Sequence, residues 1–391
     1  MKEESPAQMR KKNVSTRGLP MRTLSLKADE VGAFFGFLPV ESFMPGRQDR
    51  EYAKELLGDE KEPVLFLEED IAFLKKYIGN NWNELPHPLM LISHTSVEKK
   101  RAVISLRILG IASSAAEALA IRTALSILEE SGHSNNTIFL GSIGDRESMN
   151  DFDRTAASFI RKNMPLMPLD IRKAVKENPL SLLTDKTYAD SPFADRFPTP
   201  IASLSPSGRN HLKEVIEYIE AMETPYTLES SLMAARAVAH HTVFEIREEN
   251  GGEVLARGVR LSPLTRRMGA KRESSFLSVI VYSNNTKTAR KKMSAPKFHF
   301  VQLGYTAKLL SLPLAEKLRK IGVPVIFHIS RDKLLSQLGP EEKTKFLIIM
   351  GQKEALDHTI VVRDNETRAQ ESVPIENAPA FIKRVLKRGR V

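Results

Sequence analysis

The stretch FHFVQLGYTAKLLSLPLAEKLRKIGVPVIFHI, residues 298–329, changes once from strand to helix and back to strand. FHFVQL and VPVIFHI have the apolar and β-branched composition of buried strands, and AKLLSLPLAEKLRKIG predicts a helix that stops at a glycine. Downstream, KFLIIM, TIVVRD and QESVPI predict three further strands, and a last helix begins at Glu376. This alternation with short loops predicts a compact α/β module over residues 296–391.

The chain before this module has a different organisation. A polar and basic run predicts a linker over residues 283–295, and residues 1–22 lack hydrophobic periodicity, which predicts a flexible basic tail. Between them, residues 23–282 predict a larger domain. It contains a long helix in SSAAEALAIRTALSILEESG (113–132) and strands in TIFLGSIG, HTVFEIRE, EVLARGV and SFLSVIVYS.

Composition excludes several kinds of site. The 391 residues include no cysteine, which rules out disulfides, thiolate metal sites and a cysteine nucleophile. No apolar run approaches the ~18 residues that a membrane-spanning helix needs, and MKEESPAQMR lacks the apolar segment of a secretory signal. We therefore expect no membrane association and a cytoplasmic protein. The pair His240 and His241 has no acidic neighbours at metal spacing, so we expect no metal.

The net charge of +10 is concentrated in the C-terminal third. Residues 257–293 contain ten Lys and Arg against one acid, and residues 294–391 contain seventeen against ten, a net charge of +16 that leaves −6 for the rest. Such an asymmetry indicates a polyanionic partner. A solvated, lysine-rich surface is the alternative interpretation of any single basic run.

Several segments resemble one known family. QLGYTAKLLSLPLAEKLRKIGVPV (302–325) and FLIIMGQKEALDHTIVVRDNETRAQESVPI (346–375) are similar to the anticodon-binding domain of histidyl-tRNA synthetases. SSAAEALAI, SIGDRES, NPLSLLTDK and HTVFEI resemble upstream segments of the same class II enzymes, in the same order. The resemblance implies an α+β fold: an antiparallel sheet flanked by helices, a small helical insertion around residues 150–200, and a C-terminal anticodon-binding domain with a mixed sheet. It also implies a dimer that uses ATP and magnesium to attach histidine to tRNA.

The residues that carry this chemistry in the family are largely replaced. An arginine and a glutamate that meet ATP and the substrate carboxylate correspond to Val97 and Lys99, although Arg101 or Arg107 lies nearby. The arginine and aspartate of the histidine pocket correspond to Ala234 and Ala237. Val238 and Ala239 stand where the family has the tyrosines of the histidine pocket. The family's glycine-rich stretch corresponds to Ala256-Arg257-Gly258-Val259-Arg260.

In the segment that corresponds to the family's site for the histidine amino group, only Glu68 is the same residue type as in the family. Glu68 is either a vestige of that substrate site or a solvated residue at the start of a helix. The implied adenylation site lacks its charged groups, and losing one preorganised donor typically costs ~10²–10³ in rate. The resemblance therefore predicts a synthetase-like protein without catalytic residues or cofactors. ATP and magnesium would bind only if catalysis survives.

What remains suggests nucleic-acid binding. Two groups of residues are predicted to contact RNA. The first lies in the anticodon-type module: Gln352, Glu354, Arg363, Arg368 and Gln370. The second lies where the family has its catalytic cleft: Arg257, Arg260, Arg266 and Arg267.

Three functions stay open at this point. The favoured one is binding of tRNA or another structured RNA without amino-acid activation. The second is a divergent but active histidine–tRNA ligase. The third is a regulatory role, in which the chain pairs as a homodimer or as a heterodimer with a synthetase or a biosynthetic enzyme.

Overall fold

A computed structural model describes residues 18–57, 67–96, 101–248, 252–284, 296–331, 337 and 344–388 of the chain. An eight-stranded sheet lies between residues 38 and 284, and a five-stranded sheet lies between residues 298 and 374. Within these described ranges, no helix is long and apolar enough to cross a membrane.

The larger unit alternates helices and strands. In chain order its elements are α1 (Lys27–Phe34), β1 (Leu38–Pro39), α2 (Arg47–Leu57), α3 (Leu67–Gly79), β2 (Leu89–Ser96), β3 (Arg101–Leu109), α4 (Ala115–Glu130), β4 (Asn136–Gly144), α5 (Arg146–Asn163), α6 (Leu169–Glu177), α7 (Ser181–Thr184), α8 (Pro206–Ala221), β5 (Tyr226–Leu228), β6 (His240–Glu248), β7 (Val254–Arg260), α9 (Ser262–Arg267) and β8 (Phe276–Asn284). Short 3-10 helices cover Trp82–Glu84, Met164–Leu166, Lys186–Tyr188 and Ile201–Ser203.

The strands of this unit follow the order β1-β2-β3-β8-β7-β6-β4-β5. All neighbours from β2 to β4 in this order are antiparallel, and only the outer pairs β1–β2 and β4–β5 are parallel. The predicted antiparallel sheet flanked by helices is confirmed. Side chains alternate between two faces, so α4 and α8 cover one face, while α3, α5, α6 and α7 lie over the other.

The C-terminal unit contains β9 (Phe298–Gln302), α10 (Tyr305–Lys320), β10 (Val325–Phe327), β11 (Phe346–Met350), α11 (Gln352–Leu356), β12 (Thr359–Asp364), β13 (Gln370–Pro374) and α12 (Ala378–Arg388). Its strand order is β10-β9-β11-β12-β13, with β10, β9 and β11 parallel and the last two pairs antiparallel. The predicted C-terminal α/β domain with a mixed sheet is confirmed. Asp364 begins the turn between β12 and β13, where its carboxylate accepts backbone hydrogen bonds from Glu366 and Thr367.

Helix α4 joins the two units because it is buried on every side. Residues Ala115 to Leu128 are all buried, as expected for a helix that is rich in alanine and leucine around its whole circumference. One side packs on the eight-stranded sheet, and the other meets α10 of the C-terminal unit. Ser126 donates a hydrogen bond to Glu316 at 2.9 Å, and Arg319 pairs with Glu130 at 2.9 Å.

A buried ion pair fixes α4 to the sheet. Arg260, at the end of β7, donates to both carboxylate oxygens of Glu117 on α4, at 2.7 and 2.5 Å. The guanidinium also donates to the backbone oxygens of Ile111 and Ser113, in the loop that leads into α4. The Glu117 carboxylate accepts a further hydrogen bond from His211 on α8. Although burial raises the pKa of Glu117, Arg260 and His211 outweigh it and lower that pKa to about 2.

His241 lies against this pair. Its ring stacks on His211 with 4.6 Å between centroids, and its Nδ1 has no hydrogen-bond partner among the described residues. Burial lowers the pKa of His241 to about 4, and the charges of His211, Arg260 and His240 act in the same direction against the attraction of Glu117. His241 is therefore neutral in the folded protein at pH 7.

Two sequence predictions about boundaries are wrong in part. The predicted flexible tail extends to residue 22, but Leu19 is buried and Arg22 pairs with the buried Asp29 at 2.5 Å, so the chain packs from residue 19 onward. The predicted linker includes Ser283 and Asn284, which belong to β8. Residues 1–17 and 285–295 of these two predictions lie outside the described residues.

We expect Arg260→Ala to lower the free energy of unfolding by about 3–5 kcal/mol, because it leaves the buried Glu117 carboxylate without its main counter-charge. Arg266→Ala removes the same charge from the exposed end of α9 and should change it by less than ~0.5 kcal/mol. Chemical denaturation of both variants measures the difference. If Arg260→Ala fails to fold, Glu117→Ala/Arg260→Ala should recover part of the loss. Equal stability of Arg260→Ala and wild type would contradict the structural role.

We expect stability to depend on pH through His241. Its folded pKa of about 4 lies below its ordinary value of 6.5, so the unfolded state binds more protons between these values and the free energy of unfolding falls as pH drops from 6.5 to 4. His241→Asn keeps a residue that tolerates the positive φ of 55° and removes the titration. Denaturation at several pH values should show a smaller decrease for the variant, by at most about 3 kcal/mol. Parallel pH profiles would contradict this assignment.

Candidate functional site: a cleft on the sheet and the C-terminal domain

A cavity of about 890 Å³ lies on the face of the large sheet opposite to α4. Its floor is formed by β6, β7 and β8, and its roof by α6, α7 and the 3-10 helix Lys186–Tyr188. This cavity is called the cleft below. The segment before β6 closes one side, where Ala234 is buried and lines the cleft.

The floor of the cleft contains a compact ion cluster. Glu245 on β6 is directly opposite Arg257 on β7 in the strand register, and its carboxylate meets the Arg257 guanidinium at 2.5 Å. Arg247 binds the other carboxylate oxygen at 2.6 Å and stacks over the ring of Phe139 at 4.0 Å. One buried carboxylate therefore pairs with two arginines. The Arg257 guanidinium thus forms its ion pair with Glu245 inside the protein.

The charge of the cleft lining is slightly negative. The lining residues with ionisable side chains of either sign are four acids, Asp170, Glu177, Asp185 and Glu245, and three bases, Lys173, Lys186 and Arg257. A site that gathers phosphate groups has an excess of cations. The lining does not favour the prediction that the cleft arginines hold RNA phosphates.

The other half of this face is filled by a second ion cluster. Arg107 on β3 is fully buried, donates to Asp70 at 2.8 Å and meets Glu69 at 3.5 Å, both on α3. Its guanidinium also lies over the Phe73 ring at 5.3 Å. Burial raises the pKa of Asp70 and of Glu69 above their ordinary values, and the Arg107 charge opposes that rise. Arg107 is therefore enclosed between α3 and the sheet.

The residues predicted from the catalytic motifs are dispersed. Glu68 begins α3, is partly exposed, and pairs with Arg50 of α2 at 3.6 Å, so it does not line the cleft. Ala237 is half-buried and does not line the cleft, in contrast to Ala234. Val97 and Lys99 lie outside the described residues.

The four arginines predicted to form one RNA-binding surface do not lie together. Arg257 lies in the cleft, whereas Arg260 points to the opposite face and is buried against Glu117. Arg266 and Arg267 are exposed at the end of α9, and neither lines the cleft. The prediction that Arg260 binds RNA is wrong, because its guanidinium is only 2% exposed.

In the C-terminal domain, the predicted RNA-binding residues form two groups at opposite ends of the sheet. Arg363 and Gln370 are direct partners in the β12–β13 register, and the exposed Arg368 lies in the turn between them. Gln352 and Glu354 lie on α11, beyond the other end of β12. The Glu354 carboxylate accepts a hydrogen bond from the Gly351 backbone at 2.9 Å, so it caps α11. The first group is called the hairpin site below.

Sequence reasoning missed the carboxylates that organise these clusters: Glu69, Asp70 and Glu117. A signal for the position of Arg260 was present, since residues 257 and 260 of one strand differ by an odd number and must face opposite sides. No three His, Asp or Glu side chains in the described part of the chain are close enough together to hold a metal ion.

Comparison with known proteins agrees with this architecture. Residues 303–385 match the anticodon binding domain family. The chain is 23% identical to the histidine–tRNA ligase of Bacillus licheniformis over 283 residues, which cover 69% of the chain and 66% of that protein. It is 24% identical to the histidine–tRNA ligase of Streptococcus agalactiae over 275 residues, which cover 67% of the chain and 64% of that protein. In both cases the match spans slightly less than two thirds of the relative's length.

Similar solved structures include the apo histidyl-tRNA synthetase of S. aureus, with a TM-score of 0.49 and 15% identity over 90% of the chain and 93% of that structure. Another is the histidyl-tRNA synthetase of Nostoc sp. PCC 7120, with a TM-score of 0.41 and 14% identity over 99% of the chain and 98% of that structure. The C-terminal domain therefore matches the anticodon binding domain family, and the chain is similar in sequence to histidine–tRNA ligases along about two thirds of its length.

Proposed function

We propose that this protein binds structured RNA, with tRNA as the first candidate, through its C-terminal domain, and that it does not activate histidine. The proposed lack of histidine activation rests on the arginines of the large sheet. Among those whose side chains the structure describes, Arg107, Arg247, Arg257 and Arg260 each form an ion pair with a carboxylate.

Adenylation needs a guanidinium that is free to meet phosphate. The reacting α-phosphate gathers negative charge, which planar, bidentate N–H donors stabilise well. Arg107 and Arg257 are the arginines nearest to such a role on the cleft face, and each is paired with a carboxylate, Asp70 for Arg107 and Glu245 for Arg257. Freeing either one would leave a buried carboxylate without its counter-charge, at a cost of several kcal/mol.

The lining of the cleft does not fit the phosphate groups of the ATP that the resembled enzymes use. Its acids exceed its bases by one, and an alanine stands at the position of the family's catalytic arginine, Ala234. Loss of one preorganised donor typically lowers the rate ~10²–10³-fold, and here several are replaced. We therefore derive no activation step for this chain.

RNA binding is supported by the C-terminal domain, which matches the anticodon binding domain family. Residues 303–385 match the anticodon binding domain, and residues 294–391 have a net charge of +7. The hairpin site brings a half-buried arginine, an exposed arginine and an exposed amide to one end of the sheet. Arginine and amide side chains suit hydrogen bonds to base edges and phosphates of unstacked loops. A dimer, which the resemblance implies, and a cytoplasmic location, which the sequence predicts, are parts of the proposal.

We expect no histidine-dependent exchange between ATP and pyrophosphate above the blank, because the cleft lacks a free guanidinium. The assay uses the purified full chain, each of the twenty amino acids and an active histidine–tRNA ligase as positive control. Arg257→Ala identifies contamination, since contaminating activity would be the same in both preparations. Exchange by the wild type that disappears in Arg257→Ala would overturn the proposed loss of activation.

We expect Arg363→Ala/Arg368→Ala to weaken binding of total tRNA at least tenfold in a filter-binding measurement, because the change removes two charged contacts of the hairpin site. The control is Arg154→Ala/Arg161→Ala, which removes the same charge from exposed positions of α5. Thermal melting verifies that both variants fold. Equal affinities of the two double variants would exclude the hairpin site, and absence of RNA binding by the wild type would refute the function.

A further inference from the structure

We propose that α9 and the turn that follows it, residues 262–272, form a second surface that binds the phosphate backbone of the RNA. This segment is called the basic turn below. The inference rests on the proposed RNA binding and adds a contact on the large unit, outside the cleft. It is carried by the position, rigidity and charge of the segment.

The basic turn displays four cations within seven residues. They are all exposed, and none forms an ion pair with a described residue: Arg266, Arg267, Lys271 and Arg272. The acid that follows them, Glu273, meets His240 at 3.5 Å. This pattern differs from that of the sheet arginines, whose charges are compensated inside the protein. Four like charges held close together beside a single acid favour an anionic partner.

The backbone of the basic turn is fixed. Gly269 has a φ of 98°, and its N–H donates to Arg266 while the Ala270 N–H donates to Thr265 at 3.1 Å. The Thr265 hydroxyl accepts from the Ser274 N–H at 3.0 Å, which closes the segment. On its inner side Leu264 is fully buried. A rigid backbone lowers the entropy lost when the four side chains bind.

The apolar atoms of the basic turn face inward. Leu264 is buried and Met268 is half-buried against the same apolar cluster, so no large apolar side chain of the segment is exposed. The centre of a protein–protein interface is apolar and depleted in charge, whereas contacts to nucleic-acid backbones are polar and strongly positive. The composition of this surface therefore favours phosphates over an acidic protein.

The basic turn and the hairpin site belong to different units of the protein. The turn immediately precedes β8 of the large unit, which begins at Phe276, whereas the hairpin site joins β12 and β13 of the C-terminal domain. An RNA that uses both surfaces therefore contacts both units, which matches the partner class proposed for the hairpin site.

The test replaces all four cations by alanine in the full chain, Arg266→Ala/Arg267→Ala/Lys271→Ala/Arg272→Ala, and measures tRNA binding between 50 and 300 mM salt. Each lost phosphate contact removes about 0.7–0.9 from the slope of log affinity against log salt, so the slope should fall by about 3. We expect affinity to fall at least tenfold at the lowest salt. The charge-matched control removes four exposed cations of the helical insertion: Arg154, Arg161, Lys162 and Lys176.

The outcomes separate this inference from the proposed function. If the wild type binds tRNA and the basic-turn variant has the slope of the charge-matched control, the basic turn does not contact RNA and the proposed function stands. If the wild type does not bind RNA, both fail. Loss of slope beyond that of the control, additive with Arg363→Ala/Arg368→Ala, supports two separate contacts. If polyglutamate displaces the RNA as effectively as unlabelled tRNA does, the phosphate assignment is wrong.

Discussion

The contact between Arg260 and Glu117 is the interaction on which the rest of the structure depends. It joins the end of β7 to α4, and the same guanidinium holds the loop that leads into that helix. Helix α4 in turn supports the sheet on one side and the C-terminal domain on the other. Because the pair is buried, the protein keeps it only while both charges and their remaining hydrogen bonds are satisfied. The pair therefore fixes the N-terminal part of the helix on which both units pack.

The arginines of the large sheet form ion pairs inside the protein, and these pairs limit their contact with a ligand. A buried guanidinium is tolerated when a carboxylate pairs with it, and Asp70, Glu245 and Glu117 pair with three arginines of β3 and β7. Such pairs stabilise the fold only modestly relative to apolar packing, but breaking one is costly. This asymmetry keeps Arg257, on the floor of the cleft, paired with Glu245. The net charge of the chain acts at its exposed segments.

The sequence was sufficient for the parts of the fold that depend on local patterns. Strand alternation and the helix stops predicted the main elements of both units, and SIGDRES and HTVFEI placed them in the correct order. It was insufficient for the site. Arg260 finds its carboxylate 143 residues earlier in the chain, and Arg107 finds its own 37 residues earlier, so no local pattern reveals either pairing. Period-two alternation alone, however, separates Arg257 from Arg260.

This separation changes how the charge of residues 257–272 should be understood. Counted along the chain, the arginines form one basic run that begins in the cleft. In the structure the run divides into three environments: Arg257 is neutralised at the cleft floor, Arg260 is buried on the far side of the sheet, and the basic turn lies outside both. Only the last environment leaves cations with access to a macromolecule. In the proposed mode of RNA binding, the polyanion therefore contacts the basic turn on the outside of the large unit in addition to the hairpin site.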